Sequence, residues 1–209
     1  MSVLICALVA GAAAWALTGF MRRCATSDAP ILRSRLHVPV AVLLGGLAGL
    51  ASSWTQMLAF VVLAVASGLL TVIDLAEERL PDVIVLPLLG ITAVLLTLAA
   101  WVDGDWTALI RAGLAALALF VLYFVMAIFS PDLGFGDVKL AAVAGAFGGW
   151  FGWGAVLLGF GAGWATFAIA GMVLLATRRR DRKSSLAFGP FLILGAVLGV
   201  FWAGALLTW

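Results

Sequence analysis

The sequence predicts an all-α fold, a polytopic membrane helix bundle of about eight transmembrane helices, and three observations carry that prediction. Of the 209 residues, 65% are hydrophobic and only 11% charged, whereas soluble globular domains are about half apolar and a quarter charged. The apolar residues collect in runs close to the roughly 20 residues that cross about 30 Å of hydrocarbon as a helix. The basic residues lie between those runs and give the bundle a consistent sidedness. A soluble domain with one apolar core is excluded by the first observation alone.

The first run, about 2–20, reads "SVLICALVAGAAAWALTGF". No basic stretch precedes its core and Arg22 and Arg23 follow it, so a retained span is expected rather than a cleaved signal. The apolar stretch from 38 to 73 is too long for one crossing. It divides at "SSWTQ" into segments of about 38–53 and 56–73, because these residues favour turns and the membrane interface. Segments of about 83–101 and 107–129 follow, separated by "WVDGDW". The stretch from 138 to 176 divides at "GGWFGWG" into a short segment of about 138–150 and a full one of about 153–176; the last run covers about 187–208. The whole of 1–209 is expected to form a single transmembrane domain.

With eight crossings, Arg22, Arg23, Arg33, Arg35, Arg79, Lys139, Arg178, Arg179, Arg180, Arg182 and Lys183 fall on one side, and only Arg111 on the other. The Lys/Arg excess marks the cytoplasmic face, which places both termini outside. One helix more or fewer in the middle would scatter the charges over both faces. The run "RRRDRK" at 178–183 reads as a topogenic loop facing anionic membrane lipids.

Other chemistry is sparse. There is no nucleotide-binding glycine pattern, no C-x-x-C pair and no zinc spacing, so neither a cofactor nor a metal is expected, and no nucleic-acid partner. Cys6 lies in a span and Cys24 in a cytoplasmic loop, where a disulfide is not expected. His37, the single histidine, is expected at the interface where a span begins. Gly45 with Gly49, Gly145 with Gly149, Gly159 with Gly163 and Gly195 with Gly199 have the four-residue spacing that lets helix backbones approach closely.

Two acidic segments remain, "TVIDLAEERLPDVIV" (71–85) and "SPDLGFGDVKL" (130–140). A carboxylate at the edge of an apolar span costs several kcal/mol, roughly, on insertion scales and invites a functional explanation. Asp74 ends the third span and Asp137 opens the sixth, so the topology puts both at the cytoplasmic rim, at similar depth. Asp137 could equally cap the helix beginning "VKLAAVAG". Two adjacent carboxylates cannot both ionise easily; they share a proton, leaving one as base toward a water and the other as acid toward a carbonyl. That arrangement hydrolyses an amide without a covalent intermediate. Gly134 and Gly136 clear the approach to Asp137 for a peptide strand. A carboxylate is disfavoured at a helix C-terminus and favoured at an N-terminus, so Asp74 is expected to carry the proton and Asp137 to act as the ionised base. Asp82, Asp132, Glu77 and Glu78 read as solvated loop charges. Lys139, two positions from Asp137, would not face it on a regular helix.

"DLAEERLPD" (74–82), "GFGDVKL" (134–140) and "FGPFL" (188–192) together resemble the type IV prepilin peptidase family, the Gly-x-Gly-Asp class of intramembrane aspartyl peptidases. The similarity spans about 58–192, which would be the peptidase core. The resemblance implies an enzyme of the prokaryotic inner membrane, with its active site facing the cytoplasm, that cuts a short basic leader from prepilin or pseudopilin precursors. By motif matching Asp74 and Asp137 would be catalytic, with Gly134, Gly136, Lys139, Pro81 and Asp82 supporting them. Many members carry a large loop with paired cysteines and a second, N-methyltransferase activity. Here that loop is only "RRCATSDAPILRSRL", which argues against methyl transfer, and Ala187 stands where a proline often precedes "FGP".

A non-enzymatic transporter or assembly protein could use paired aspartates for a proton or cation, but it would need further polar groups along the spans, and only small Thr and Ser residues are evident. A presenilin-like peptidase would show Tyr before its first aspartate, where this chain has Ile73. The sequence does not define an oligomeric state.

Overall fold

The computed structural model of the chain describes residues 1–130, 133–177 and 186–206. The basic loop expected at 178–183 and the loop charge Asp132 lie outside the described residues. Among the described residues every regular element is an α-helix: α1 (Ser2–Ala16), α2 (Thr18–Cys24), α3 (Pro30–Arg33), α4 (His37–Ala48), α5 (Trp54–Glu77), α6 (Asp82–Asp103), α7 (Trp106–Phe129), α8 (Phe135–Phe151), α9 (Trp153–Ala176) and α10 (Gly189–Leu206).

Each predicted apolar run is helical. Four helices, α5, α6, α7 and α9, are long and apolar enough to cross a membrane, and α1 with α2 makes a fifth if that pair counts as one span. His37–Ala48 and Gly189–Gly204 are shorter apolar helices, and α8 has 17 residues. The protein is thus a polytopic helical bundle, while helix length does not reproduce eight full crossings. The first predicted span is corrected: it breaks at Leu17 and its halves meet at 52°. Thr18 donates its hydroxyl to the Trp15 carbonyl at 2.6 Å, the side-chain-to-backbone bond that bends helices.

The chain forms two compact units, Met1–Leu109 and Ile110–Trp209. In the first, α4 packs on α1 and α5, and α5 packs on α6. The expected glycine packing is present: a methyl on Gly45 would strike the Ala10 side chain, and one on Gly49 would lie 2.5 Å from the Val3 Cα. The "SSWTQ" break is a helix start. Ser53 caps α5, accepting from the Gln56 amide at 3.4 Å, while Ser53 and Gln56 both donate to Asp103 at the end of α6, at 2.7 and 2.9 Å. His37 opens α4 as expected and is fully buried, with Nε2 2.9 Å from the Thr18 hydroxyl. Cys6 and Cys24 are free thiols.

In the second unit α9 and α10 pack most extensively, and α8 lies against both. Gly159 and Gly163 of α9 face Gly195 and Gly199 of α10, so the two four-residue glycine pairs meet each other. The "GGWFGWG" break falls at Gly152, whose φ of 145° and ψ of 165° let α8 end and α9 begin without a linker. Few side-chain-bearing residues tolerate that backbone. A Gly152→Ala substitution meets no steric neighbour, yet it is expected to cost about 1–3 kcal/mol through the backbone alone, measured as a lowered unfolding midpoint in detergent.

Candidate active site

The segment around Asp74 is built by two helix ends. Asp74 lies in the last turn of α5 and is 3% exposed. The helix stops at Glu78, which takes the left-handed conformation at φ 51° and ψ 38° and donates its amide to the Asp74 carbonyl at 2.7 Å. This left-handed stop ordinarily falls to glycine. The chain then passes through buried Leu80 and Pro81 into α6, where Pro81 is the N-cap and the exposed Asp82 the first helical residue. A proline with fixed φ followed by an acid at a helix N-terminus is a favourable start. "DLAEERLPD" is therefore a helix end, a left-handed turn and a helix start, and it keeps Asp74, Pro81 and Asp82 at one end of the first unit.

Glu77 departs from expectation. It is not a solvated loop charge but the last residue of α5, and its carboxylate accepts three hydrogen bonds. The amides of Thr26 and Ser27 both donate to Oε1 at 2.6 Å, and the Thr26 hydroxyl donates to Oε2 at 2.9 Å. Arg79 donates to the same hydroxyl at 3.4 Å. Glu78 is exposed, as expected of a loop charge.

In the second unit Gly134 is the N-cap of α8, and Gly136, Asp137 and Lys139 follow in its first turns. The Asp137 carboxylate accepts from the Gly134 amide at 3.2 Å, and the Asp137 amide donates to the Gly134 carbonyl at 3.0 Å. Asp137 is therefore not the N-cap of a helix beginning at Val138, as weighed from sequence, but the third residue of α8, whose carboxylate takes the amide of the Gly134 N-cap, with its charge at the positive end of the helix dipole. Gly134 and Asp137 also lie within van der Waals reach, since a Cβ on the glycine would sit 3.5 Å from Asp137 Oδ2.

The far end of α8 is held just as firmly. Arg111, read as the lone basic residue of the opposite face, forks onto the Gly149 and Trp150 carbonyls at 2.7 and 2.6 Å. It thereby satisfies orphan acceptors and complements the negative end of the helix. Gly145 and Gly149 lie against the α7 backbone, where added methyls would meet the Ala115 carbonyl oxygen at 2.5 Å and the Ala115 Cβ at 2.6 Å.

One residue escaped the sequence reading. Tyr123 of α7 is the chain's single tyrosine and is 2% exposed. Its ring packs among Phe160, Phe188 and Trp164, with centroids 6.0, 5.9 and 6.4 Å away. Phe188, from the late "FGPFL" motif, lies 4.9 Å from Trp164 and 5.1 Å from Phe167, so that motif builds the core under α10. The available signal was a phenol inside an apolar span, which needs a polar neighbour when buried. Among the described residues no group of three or more His, Cys, Asp or Glu side chains is arranged to hold a metal ion.

Each unit therefore holds one of the two aspartates singled out from sequence at a helix end: Asp74 at the close of α5, Asp137 at the opening of α8. The type IV leader peptidase family matches residues 60–209, a range that includes both. The chain belongs to that family. The resemblance read from the three motifs holds at this level. The "prepilin leader peptidase/N-methyltransferase" of Legionella pneumophila is 32% identical over 193 residues, 90% of this chain and 65% of the relative. The protein of the same description from Aeromonas salmonicida (strain A449) is 32% identical over 186 residues, 86% of this chain and 58% of the relative. That of Pectobacterium carotovorum subsp. carotovorum is 35% identical over 145 residues, 65% of this chain and 48% of the relative. The chain spans less than two thirds of the length of these curated relatives. No solved structure matches it.

Proposed function

We propose that this family member is an intramembrane aspartyl endopeptidase that removes the short basic leader from type IV prepilin-like precursors at the cytoplasmic face of the inner membrane. Asp74 and Asp137 are its catalytic pair. The observation that carries the reading is the placement of two carboxylates at helix ends of opposite polarity, one closing α5 and one opening α8, within the range matched by a leader peptidase family.

The helix ends assign the roles. The amide end of α8 favours the ionised form of Asp137, and the carbonyl end of α5 favours the neutral form of Asp74. Ionised Asp137 takes a proton from a water, whose oxygen attacks the scissile carbonyl carbon, while Asp74 gives its proton to the carbonyl oxygen. The tetrahedral intermediate collapses as the carbon–nitrogen bond breaks, and the proton held by Asp137 passes to the departing amine. Asp74 recovers its proton from the hydroxyl of the intermediate, and the pair returns to one shared proton. Gly134 and Gly136 leave room for the extended substrate, and Pro81, Asp82 and Lys139 shape the helix starts on either side. The grouping of Arg22, Arg23, Arg33, Arg35 and Arg79 supports a cytoplasmic active site. The precursor's apolar helix and membrane lipids are the partners.

The segment joining α2 to α4, residues 25–36, carries no cysteine, so the reading is of cleavage without methylation. The test is co-expression with a prepilin-type precursor, followed by gel shift and mass measurement. The expected product has lost its leader and carries a free, unmethylated amino terminus. A precursor left at full length by the wild-type chain would overturn the peptidase reading, and a product heavier by a methyl group would overturn the single-activity reading.

A further inference from the structure

The Thr26–Ser27 loop is held with more care than a connection between two helices needs. Both oxygens of Glu77 are engaged, one by two consecutive backbone amides and the other by a hydroxyl. Bonds to an ionised acceptor are the strong ones. The loop's far side is closed as well. Arg22 donates to the Leu32 and Arg33 carbonyls at 3.2 Å each, and α3 packs on α5 with Leu32 buried. Glu77 stands three residues after Asp74, and residues at that spacing are neighbours on one side of a helix. The loop is therefore fixed within a helical turn of Asp74, and Asp28, the residue after Ser27, is exposed on it.

We propose that Glu77 is a positioning residue of the peptidase, whose carboxylate fixes the Thr26–Ser27 loop as a wall beside Asp74 and sets Asp28 to meet the basic leader of the precursor. This rests on the peptidase reading above. Glu77 touches neither the water nor the scissile bond; it acts through the loop. A carboxylate suits the task because all three partners are donors. Glutamine could keep its oxygen for the two backbone amides, but its own amide could only donate to the Thr26 hydroxyl, reversing that bond, and the charge that strengthens all three would be gone. Asp28 supplies charge complementary to a leader bearing Lys or Arg.

The test is steady-state kinetics of the full-length chain in detergent on a precursor with a basic leader, and on the same precursor with its leader Lys and Arg replaced by Gln. Glu77→Gln is expected to raise KM for the basic leader about tenfold while kcat stays within about threefold of wild type, the pattern of lost binding rather than lost chemistry. Asp28→Asn is expected to raise KM about threefold for the basic leader and to leave the neutral leader unchanged. Combined with Glu77→Gln, Asp28→Asn is expected to add little, because the released loop no longer presents the acid.

If Glu77→Gln lowers the unfolding midpoint too far to assay, Thr26→Val removes only the hydroxyl donor and is expected to raise KM about twofold to threefold. Wild-type KM in Glu77→Gln, or in Thr26→Val where that variant stands in, would overturn the inference. So would a loss confined to kcat, or an Asp28→Asn effect equal on both leaders. These results leave the peptidase reading standing, since that reading fails if the wild type does not cleave or if Asp74→Asn or Asp137→Asn cleaves about as well as wild type.

Discussion

Cleavage by a chain carrying Asp74→Asn or Asp137→Asn is expected to fall by at least about a thousandfold, with the double variant no slower than the worse single one. The expectation follows from the shared proton. Asparagine at 137 cannot accept the proton of the attacking water, and asparagine at 74 can donate a hydrogen bond but cannot release a proton to the carbonyl oxygen. Each substitution removes a different half of one reaction, so the losses do not multiply. The shapes remain almost the same, and precursor binding is expected to persist in both variants as co-purification of uncut precursor. If Asp137→Asn leaves cleavage largely intact while Asp74→Asn abolishes it, the two-carboxylate mechanism is wrong, and Asp137 is left with the capping of α8 by its bond to Gly134.

The largest expected effect on stability comes from Gly195→Leu. An added Cβ there would lie 2.5 Å from both the Gly159 oxygen and the Gly163 nitrogen. These are backbone atoms, so no rotamer change relieves the clash, and α9 and α10 must move apart along their main contact. Overpacking costs about 1–3 kcal/mol where side chains can yield; here about 3 kcal/mol or more is expected, read as a fall in the thermal midpoint of the detergent-solubilised protein. Gly161→Leu is the control. It lies on α9, the other helix of that contact, with nothing within 4 Å of its Cβ position, and it is expected to change stability by no more than about 0.5 kcal/mol. Equal effects at the two sites would mean that α9 and α10 are not in contact as described.

What the sequence made legible is what local chemistry encodes. Apolar run length gave the helices, and turn chemistry placed the breaks at "SSWTQ" and "GGWFGWG" within a residue or two of the observed helix starts at Trp54 and Trp153. Glycine spacing marked the close helix contacts, because only a missing side chain permits them. The bend at Leu17 was hidden, since it depends on Thr18 turning its hydroxyl back on Trp15 within an otherwise uniform apolar run. Run length does not by itself decide crossings, because an apolar stretch such as α4 forms a helix of only 12 residues, shorter than a full span.

The candidate site was legible as two motifs, and its supports were not. Glu77, Arg111 and Tyr123 each act through a partner 37 to 51 positions away: Glu77 on Thr26, Arg111 on Gly149, Tyr123 on Phe160. Nothing in the neighbouring residues announces such a pairing. Glu77 reads as one acid among several and Arg111 as a topogenic charge until the fold supplies the donors and carbonyls that use them.

The solitary phenol offers a way to watch the second unit. With one tyrosine in the chain, growth on ring-labelled tyrosine introduces a single isotopic reporter, and every signal recorded from it belongs to Tyr123. Since that ring packs among Phe160, Trp164 and Phe188, its resonance follows how α7 sits against α9 and the start of α10, in the resting protein and without any precursor present. The packing of the second unit can then be followed by spectroscopy while Asp137 is altered, which separates the structural effect of a substitution from its effect on turnover.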